Sequence, residues 1–176
     1  MQDRRFVMYM LTLAMSTIPL TTAAAQTVQV QMFDGVSSSG AAGTAAELSP
    51  LVVDGLLRQL FDDGYIGIDA PAVQGGRSRF DAWHNDPALA DVYIDFIIVV
   101  LAVFDEASMM PVCDFRLVRV ADGSVMASGR QALTGSSTGT RGETMVAYAE
   151  LGKKVARYCT ARLKGSARRY HADRQA

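Results

Sequence analysis

The hydrophobic and polar positions change period along the chain, and the changes mark out the elements. Over Thr27 to Phe33 polar and apolar residues alternate, with Val28, Val30 and Met32 on one side. That period of two predicts a half-buried strand, ended by Asp34-Gly35. Val36 to Ala46 is rich in Ser, Gly and Ala and reads as a loop. Ser49-Pro50 then supplies a helix start, since Ser caps and Pro is tolerated at the first helical position. Thr44-x-x-Glu47 is a competing capping box that would leave Pro50 inside the helix. Leu51, Val52, Gly55, Leu56, Gln59 and Leu60 follow at helical spacing, and Gly64 fits a C-terminal cap. Tyr65 to Ile68 predicts a short strand, and residues 71–89 read as a long loop.

Asp91 to Phe104 is a longer β-rich run. Val92, Ile94, Phe96, Ile98, Val100 and Phe104 line one face. The other face starts polar at Asp91, Tyr93 and Asp95, then turns apolar through Ile97, Val99, Leu101 and Val103. A strand apolar on both faces belongs in the middle of a sheet. Cys113–Val120 and Val125–Leu133 read as two more strands, joined by a two-residue Asp122-Gly123 hairpin turn. The apolar parity shifts between Phe115, Leu117 and Val118, Val120, which predicts a bulge. Thr134 to Gly142 is a second Gly/Ser/Thr loop. Glu143 to Leu163 predicts an amphipathic helix, with Tyr148, Leu151, Val155, Tyr158 and Cys159 inward and Glu150, Lys153, Lys154 and Arg157 outward. The order β-α-β-β-β-β-α predicts an α+β two-layer domain. Its sheet of about five strands is mixed, mostly antiparallel, and covered on one face by two helices.

The segment before the first strand has a different character. Arg4 and Arg5 precede an apolar run, Phe6 to Leu20, and Ala23-Ala24-Ala25 offers a cleavage site before Gln26. Residues 1–25 therefore read as a secretory signal peptide. The apolar run is shorter than the ~20 residues that a spanning helix needs, so no integral membrane span is expected after cleavage. Asp3 and Phe6-Val7-Met8 match a twin-arginine motif poorly, which favours general secretion. No Cys lies near the cleavage site to accept a lipid. The expected organisation is a signal at 1–25, one domain at 26–163 and a flexible basic tail at 164–176. The expected location is periplasmic or secreted, in a bacterium.

A chain of 176 residues suits one domain, and 49% hydrophobic against 20% charged residues suits a packed core. Seventeen basic against eighteen acidic residues give a net charge of −1, which argues against nucleic acid as a partner. Two Cys and two His, far apart, do not make a structural zinc site, and no metal or cofactor is expected. In an oxidising compartment the even pair Cys113 and Cys159 is expected to form a disulfide; two buried free thiols are the alternative.

Catalytic patterns are sparse. His84 lies near Asp81, Trp83 and Asp86, which allows a metal or acid–base site but equally a loop His with local hydrogen bonds. No G-x-S-x-G occurs, and neither Cys has a neighbouring His. Asp91 and Asp95 share a strand face, a pattern that surface charge explains without glycosidase chemistry. Gly40-x-x-Gly43 and Gly139-x-x-Gly142 lack the Lys of a phosphate loop. No catalytic residue is assigned. Arg77, Arg79, Phe80, Trp83 and His84 form the candidate partner contact, because Trp and Arg are enriched at interface hot spots. Trp83 capping the core is the competing reading.

Three stretches carry a resemblance: L-R-Q-L-F-D-D-G-Y-I-G-I-D-A-P (57–71), A-D-V-Y-I-D-F-I-I (90–98) and F-R-L-V-R-V-A-D-G-S-V-M-A-S-G (115–129). They resemble a bacterial envelope group that includes the periplasmic activators of penicillin-binding proteins, the curli-secretion lipoprotein and the amino-terminal domain of TolB. The chain departs from that group in lacking a lipobox Cys, and in carrying Arg119 and Ala121 where Asp and Thr are common. The resemblance implies a non-enzymatic interaction or assembly domain that binds an envelope protein or a second copy of itself. The alternatives are a small secreted hydrolase or ligand-binding protein using the 77–86 loop, with His84 beside Asp81 or Asp86, and a strand-augmenting assembly subunit.

Overall fold

Strand β1 (Thr27–Asp34) opens the computed structural model, which describes residues 25–34, 42–83, 93–105, 110–132 and 141–173. Helix α1 (Ala42–Asp62) follows, then β2 (Ile66–Gln74) and a short helix α2 (Gly76–Ala82). Strands β3 (Phe96–Asp105), β4 (Met110–Arg119) and β5 (Val125–Ala132) lead to the long helix α3 (Arg141–Asp173). The strands form one sheet in the order β2-β1-β3-β4-β5. β1 is parallel to both β2 and β3, while β3–β4 and β4–β5 are antiparallel. The domain is α+β, with its mixed ladders divided evenly between the two senses.

Several boundaries differ from the sequence reading. α1 begins at Ala42 instead of Ser49-Pro50, so Pro50 lies within it. Pro50 has no N–H for the Ala46 carbonyl, but Ala42, Ala45, Ala46 and Glu47 are strong helix formers and carry the helix through. The loop expected from residue 71 is instead the end of β2 followed by α2. β2 continues past Pro71 because it is an edge strand and shifts register there, with Ala70 opposite Gln31 and Val73 opposite Phe33. Edges and bulges are where a strand tolerates proline. The Gln31 side-chain amide stitches this irregularity by donating to the Pro71 carbonyl at 2.7 Å. The expected hairpin bulge is present between Leu117 and Val118, with Met126 of β5 as the extra residue. The hairpin closes with the Arg119 N–H donating to the Ser124 carbonyl at 2.9 Å, a wider loop than a two-residue turn. α3 continues to Asp173, beyond Leu163.

The alternation along β3 assigns the two faces. Phe96, Ile98 and Val100 join Val28, Val30, Phe115 and Leu117 against α1 and α3. Ile97, Val99 and Leu101 join Phe33 and Phe80 on the other face. β3 is the central strand and is buried on both sides, as its continuous apolar run requires.

α1 and α3 run parallel across the first face, and their backbones meet. A methyl group at Gly55 would overlap the Ala149 carbonyl, with its Cβ 2.8 Å from the carbonyl carbon. One at Gly152 would stand 2.9 Å from both the Val52 carbonyl carbon and the Leu56 nitrogen. Further along, Arg157 Nε donates to Gln59 Oε1 at 3.0 Å. Asp63 then accepts from Thr160 Oγ1 at 2.8 Å and Lys164 Nζ at 2.7 Å. Burial would raise the Asp63 carboxyl, but the bonds from Lys164, Thr160 and Gln59 outweigh it and hold the carboxyl below its ordinary value.

Cys113 on β4 and Cys159 on α3 are both free thiols buried in the first-face core. The expected bridge is not present. A bridge needs Cα atoms within about 7 Å and side chains aimed at each other, and the packing of α3 on β4 leaves the two sulfurs unjoined.

Two outcomes follow from this packing. Gly55→Ala and Gly152→Ala should each destabilise the domain by about 1–3 kcal/mol in urea unfolding, the cost of overpacking. Gly165→Ala, with nothing within 4 Å of its added methyl, should be neutral or stabilising. For the cysteines, burial pushes both thiols up to about 12 from an ordinary 9.0. They should resist alkylation in the folded protein and react as two thiols after denaturation, as read by mass. Because the folded value is the higher one, their contribution to stability is complete below about pH 9 and fades as pH rises towards 12.

Candidate functional site

The second face of the sheet carries the residues singled out as a partner contact. α2 is only seven residues long, so it can bury a single large side chain, and that side chain is Phe80. Its ring meets Phe33 edge-on, with centroids 6.0 Å apart and planes at 81°. Two guanidinium groups lie over the same ring, Arg116 at 4.6 Å and Arg77 at 5.6 Å. The planar, weakly hydrated arginine head suits this position, where lysine's compact ammonium would not stack.

Those arginines belong to an ionic network spread over three elements. Arg130 of β5 grips Asp114 of β4 bidentately, with Nε to Oδ1 at 2.7 Å and Nη2 to Oδ2 at 3.1 Å. Arg77 of α2 donates to the same Asp114 through Nη2. Arg116 donates to the Phe80 carbonyl at 3.1 Å and to Asp81 Oδ1 at 3.3 Å. Asp114 is 8% exposed, and burial would raise its carboxyl. The hydrogen bonds from Arg130 and Arg77 prevail and hold it below its ordinary value. The network clamps α2 onto the sheet.

The expected contact residues therefore separate. Arg77 is half-exposed and held by Asp114. Arg79 is exposed, Phe80 is buried, and Trp83 packs against the second core. Trp83 Nε1 is the only buried side-chain polar atom without a hydrogen-bond partner among the described residues. His84, Asp86 and Asp91 lie outside the described residues. Asp95 accepts from the Thr27 N–H at 2.7 Å and so fixes the start of β1. Among the described residues no three His, Cys, Asp or Glu side chains gather to hold a metal ion. No helix in that set is long and apolar enough to cross a membrane.

Asp114, Arg116 and Arg130 were missed in the sequence. A signal for the first two was present: they alternate with Cys113, Phe115 and Leu117 on a strand that pairs with the doubly apolar β3. Charges on a covered face have to be paired.

β2 leaves part of this face open. Ile66 and Ile68 pair with Thr27 and Gln29, which places them on the α2 side of the sheet. They are 51% and 40% exposed. The face thus combines an uncovered isoleucine strip with an arginine-rich border.

Asp114→Asn should cost about 1.5–3 kcal/mol at neutral pH, the usual worth of hydrogen bonds to a charged group. Because the Asp114 carboxyl is depressed in the fold, its contribution is present above the ordinary value of 3.8 and is lost as pH falls through the folded value. Acid titration of unfolding should accordingly be shallower in the variant than in the parent.

No family model matches the chain, and no curated protein matches it. Solved structures do. PelC from Paraburkholderia phytofirmans, described as a dodecamer, is 14% identical, with 73% of this chain and 86% of that chain covered and a TM-score of 0.40. TolB from Acinetobacter baumannii is 15% identical over 80% of this chain, with a TM-score of 0.43, and this chain spans 29% of its length. A lipoprotein from Neisseria meningitidis is 16% identical, with 74% of this chain and 96% of that chain covered and a TM-score of 0.39. TolB is common to this set and to the bacterial envelope group that the sequence motifs resemble.

Proposed function

We propose that this chain is an exported, non-catalytic accessory domain of the bacterial envelope that binds another protein, or a second copy of itself, through the second face of its sheet. The signal-like pattern at residues 1–25 supports export, and it would leave a domain over 26–163 followed by the basic segment 164–176. The observation that carries the binding reading is the isoleucine strip Ile66 and Ile68 on the same face as the arginines around Phe80. An apolar centre with arginine and aromatic neighbours is the composition of interface hot spots. Phe80 itself is inside; its part is to hold Arg77 and Arg116 in place from beneath.

A photo-crosslinking side chain placed at Ile68 or at Arg79 in the exporting cell should give one discrete protein adduct, either a partner or a dimer of this chain. The same side chain at Lys154, on the opposite face, should give none. Ile68→Glu should abolish the Arg79 adduct while changing stability by no more than about 0.5 kcal/mol, as exposed substitutions do. No adduct at either position, or equal adducts at all three, would defeat the reading.

A further inference from the structure

We propose that the chain pairs with a second copy of itself through the free edge of β2, antiparallel, about a two-fold axis at Ile68. The proposal rests on the reading of the Ile66 and Ile68 strip as a contact, and it names what covers that strip. Among the described residues β2 has a neighbouring strand on one side only, β1. Sheet edges in proteins are commonly blunted by proline, by a bulge or by charge. On β2 the proline and the register shift come at the far end, from Pro71 onward. Ile66 to Ala70 precede them in regular register, and Asp69 is the one charged residue there. The other edge strand, β5, carries a bulge near its start and Arg130 toward its end.

The direction of the backbone groups decides the register. The Ile66 N–H donates to the Gln26 carbonyl at 3.0 Å. Alternation along the strand then turns the N–H and C=O of Ile66, Ile68 and Ala70 toward β1, and those of Gly67 and Asp69 toward the free edge. In an antiparallel pair, two such residues directly opposite each other exchange both bonds. With the axis at Ile68, Gly67 of each copy faces Asp69 of the other, and both pairs are complete. An axis at Asp69 would set the two carboxylates opposite each other and put Gly67 against Pro71, which has no N–H. An axis at Gly67 would put Asp69 against Tyr65, whose N–H is already given to the Leu60 carbonyl at 2.9 Å.

The side chains fit the same register. Ile66, Ile68 and Ala70 share the α2 side, so Ile68 meets its own copy and Ile66 meets Ala70. On the other side Asp69 meets Gly67, where no side chain opposes it. α1 runs above this edge, since a Cβ at Gly67 would stand 2.8 Å from Leu57 Cδ2. Phe61, one turn along from Leu57 and 79% exposed, lies on the same flank of α1, and pairing brings that flank toward its counterpart. Asp54 on this flank is already paired with Arg58 at 3.1 Å. A two-fold contact requires a surface complementary to itself. β2 meets that condition in its hydrogen-bonding groups, its isoleucines and its single charge, which singles out a second copy over the strand of another protein.

The test uses the chain as recovered from exporting cells, in sedimentation and cysteine cross-linking. The parent should sediment as a dimer whose share rises with concentration. Ile68→Cys should give a disulfide-linked dimer on mild oxidation, because opposed residues of this kind lie about 4.5 Å apart at Cα, within bridging range. Ile66→Cys alone should not, because its counterpart stands about four residues away along the strands, roughly 13 Å. Mixed with Ala70→Cys, it should. Cys113 and Cys159 are buried and take no part. Asp69→Pro removes an N–H that the dimer uses twice and should weaken association about ten-fold or more, with parental circular dichroism establishing its fold. If that variant does not fold, the cross-linking decides alone. Equal cross-linking of Ile66→Cys and Ile68→Cys, or parental association by folded Asp69→Pro, would overturn the proposal. A monomer whose Ile68 photo-adduct is another protein would overturn it and leave the functional reading in place, and a monomer with no Ile68 adduct would overturn both.

Discussion

The contact between the backbones of α1 and α3 at Gly55 and Gly152 sets the geometry of everything else. With no side chain between them at these two positions, the backbones of the two helices approach closer than a methyl on either glycine would allow. That closeness lets both helices press their apolar stripes onto one face of the sheet. Leu56 and Leu60 reach down from α1, and Leu151, Val155 and Leu163 from α3. It also sets their register, so that Gln59 meets Arg157 and Asp63 meets Thr160 and Lys164. A shift of one helical turn would leave Asp63 partly buried without these donors, a costly arrangement for a carboxylate.

Placing both long helices on the first face leaves the second to a helix of seven residues. β3 demands cover there, because Ile97, Val99 and Leu101 are as apolar as the residues facing α1 and α3. Phe80 supplies one aromatic ring, and Arg77, Arg116 and Arg130 complete the seal around it. Arginine can do both jobs at once, lying flat on the ring while its edge bonds a carboxylate. The seal does not reach β2, whose Ile66 and Ile68 stay open. The surface proposed to bind a partner is thus a by-product of how asymmetrically the cover is distributed.

What was legible in the sequence is what repeats. β3 announced its central place by having no polar face after Asp95, and Tyr148, Leu151, Val155 and Cys159 gave the inner side of α3. Features without a period were hidden. α2 has one large buried residue, too few to show a helical pattern. Gly152 has no side chain to contribute to the stripe pattern, although it is where the helices touch. Pro71 reads as a strand terminator, and only the pairing with β1 shows that it sits at an edge irregularity. The Asp114 network draws on residues 77, 81, 114, 116 and 130, which no local spacing connects. The cysteine pair failed differently. Its even count and expected compartment were sound premises, but a bridge depends on a distance that only the packing of α3 on β4 determines.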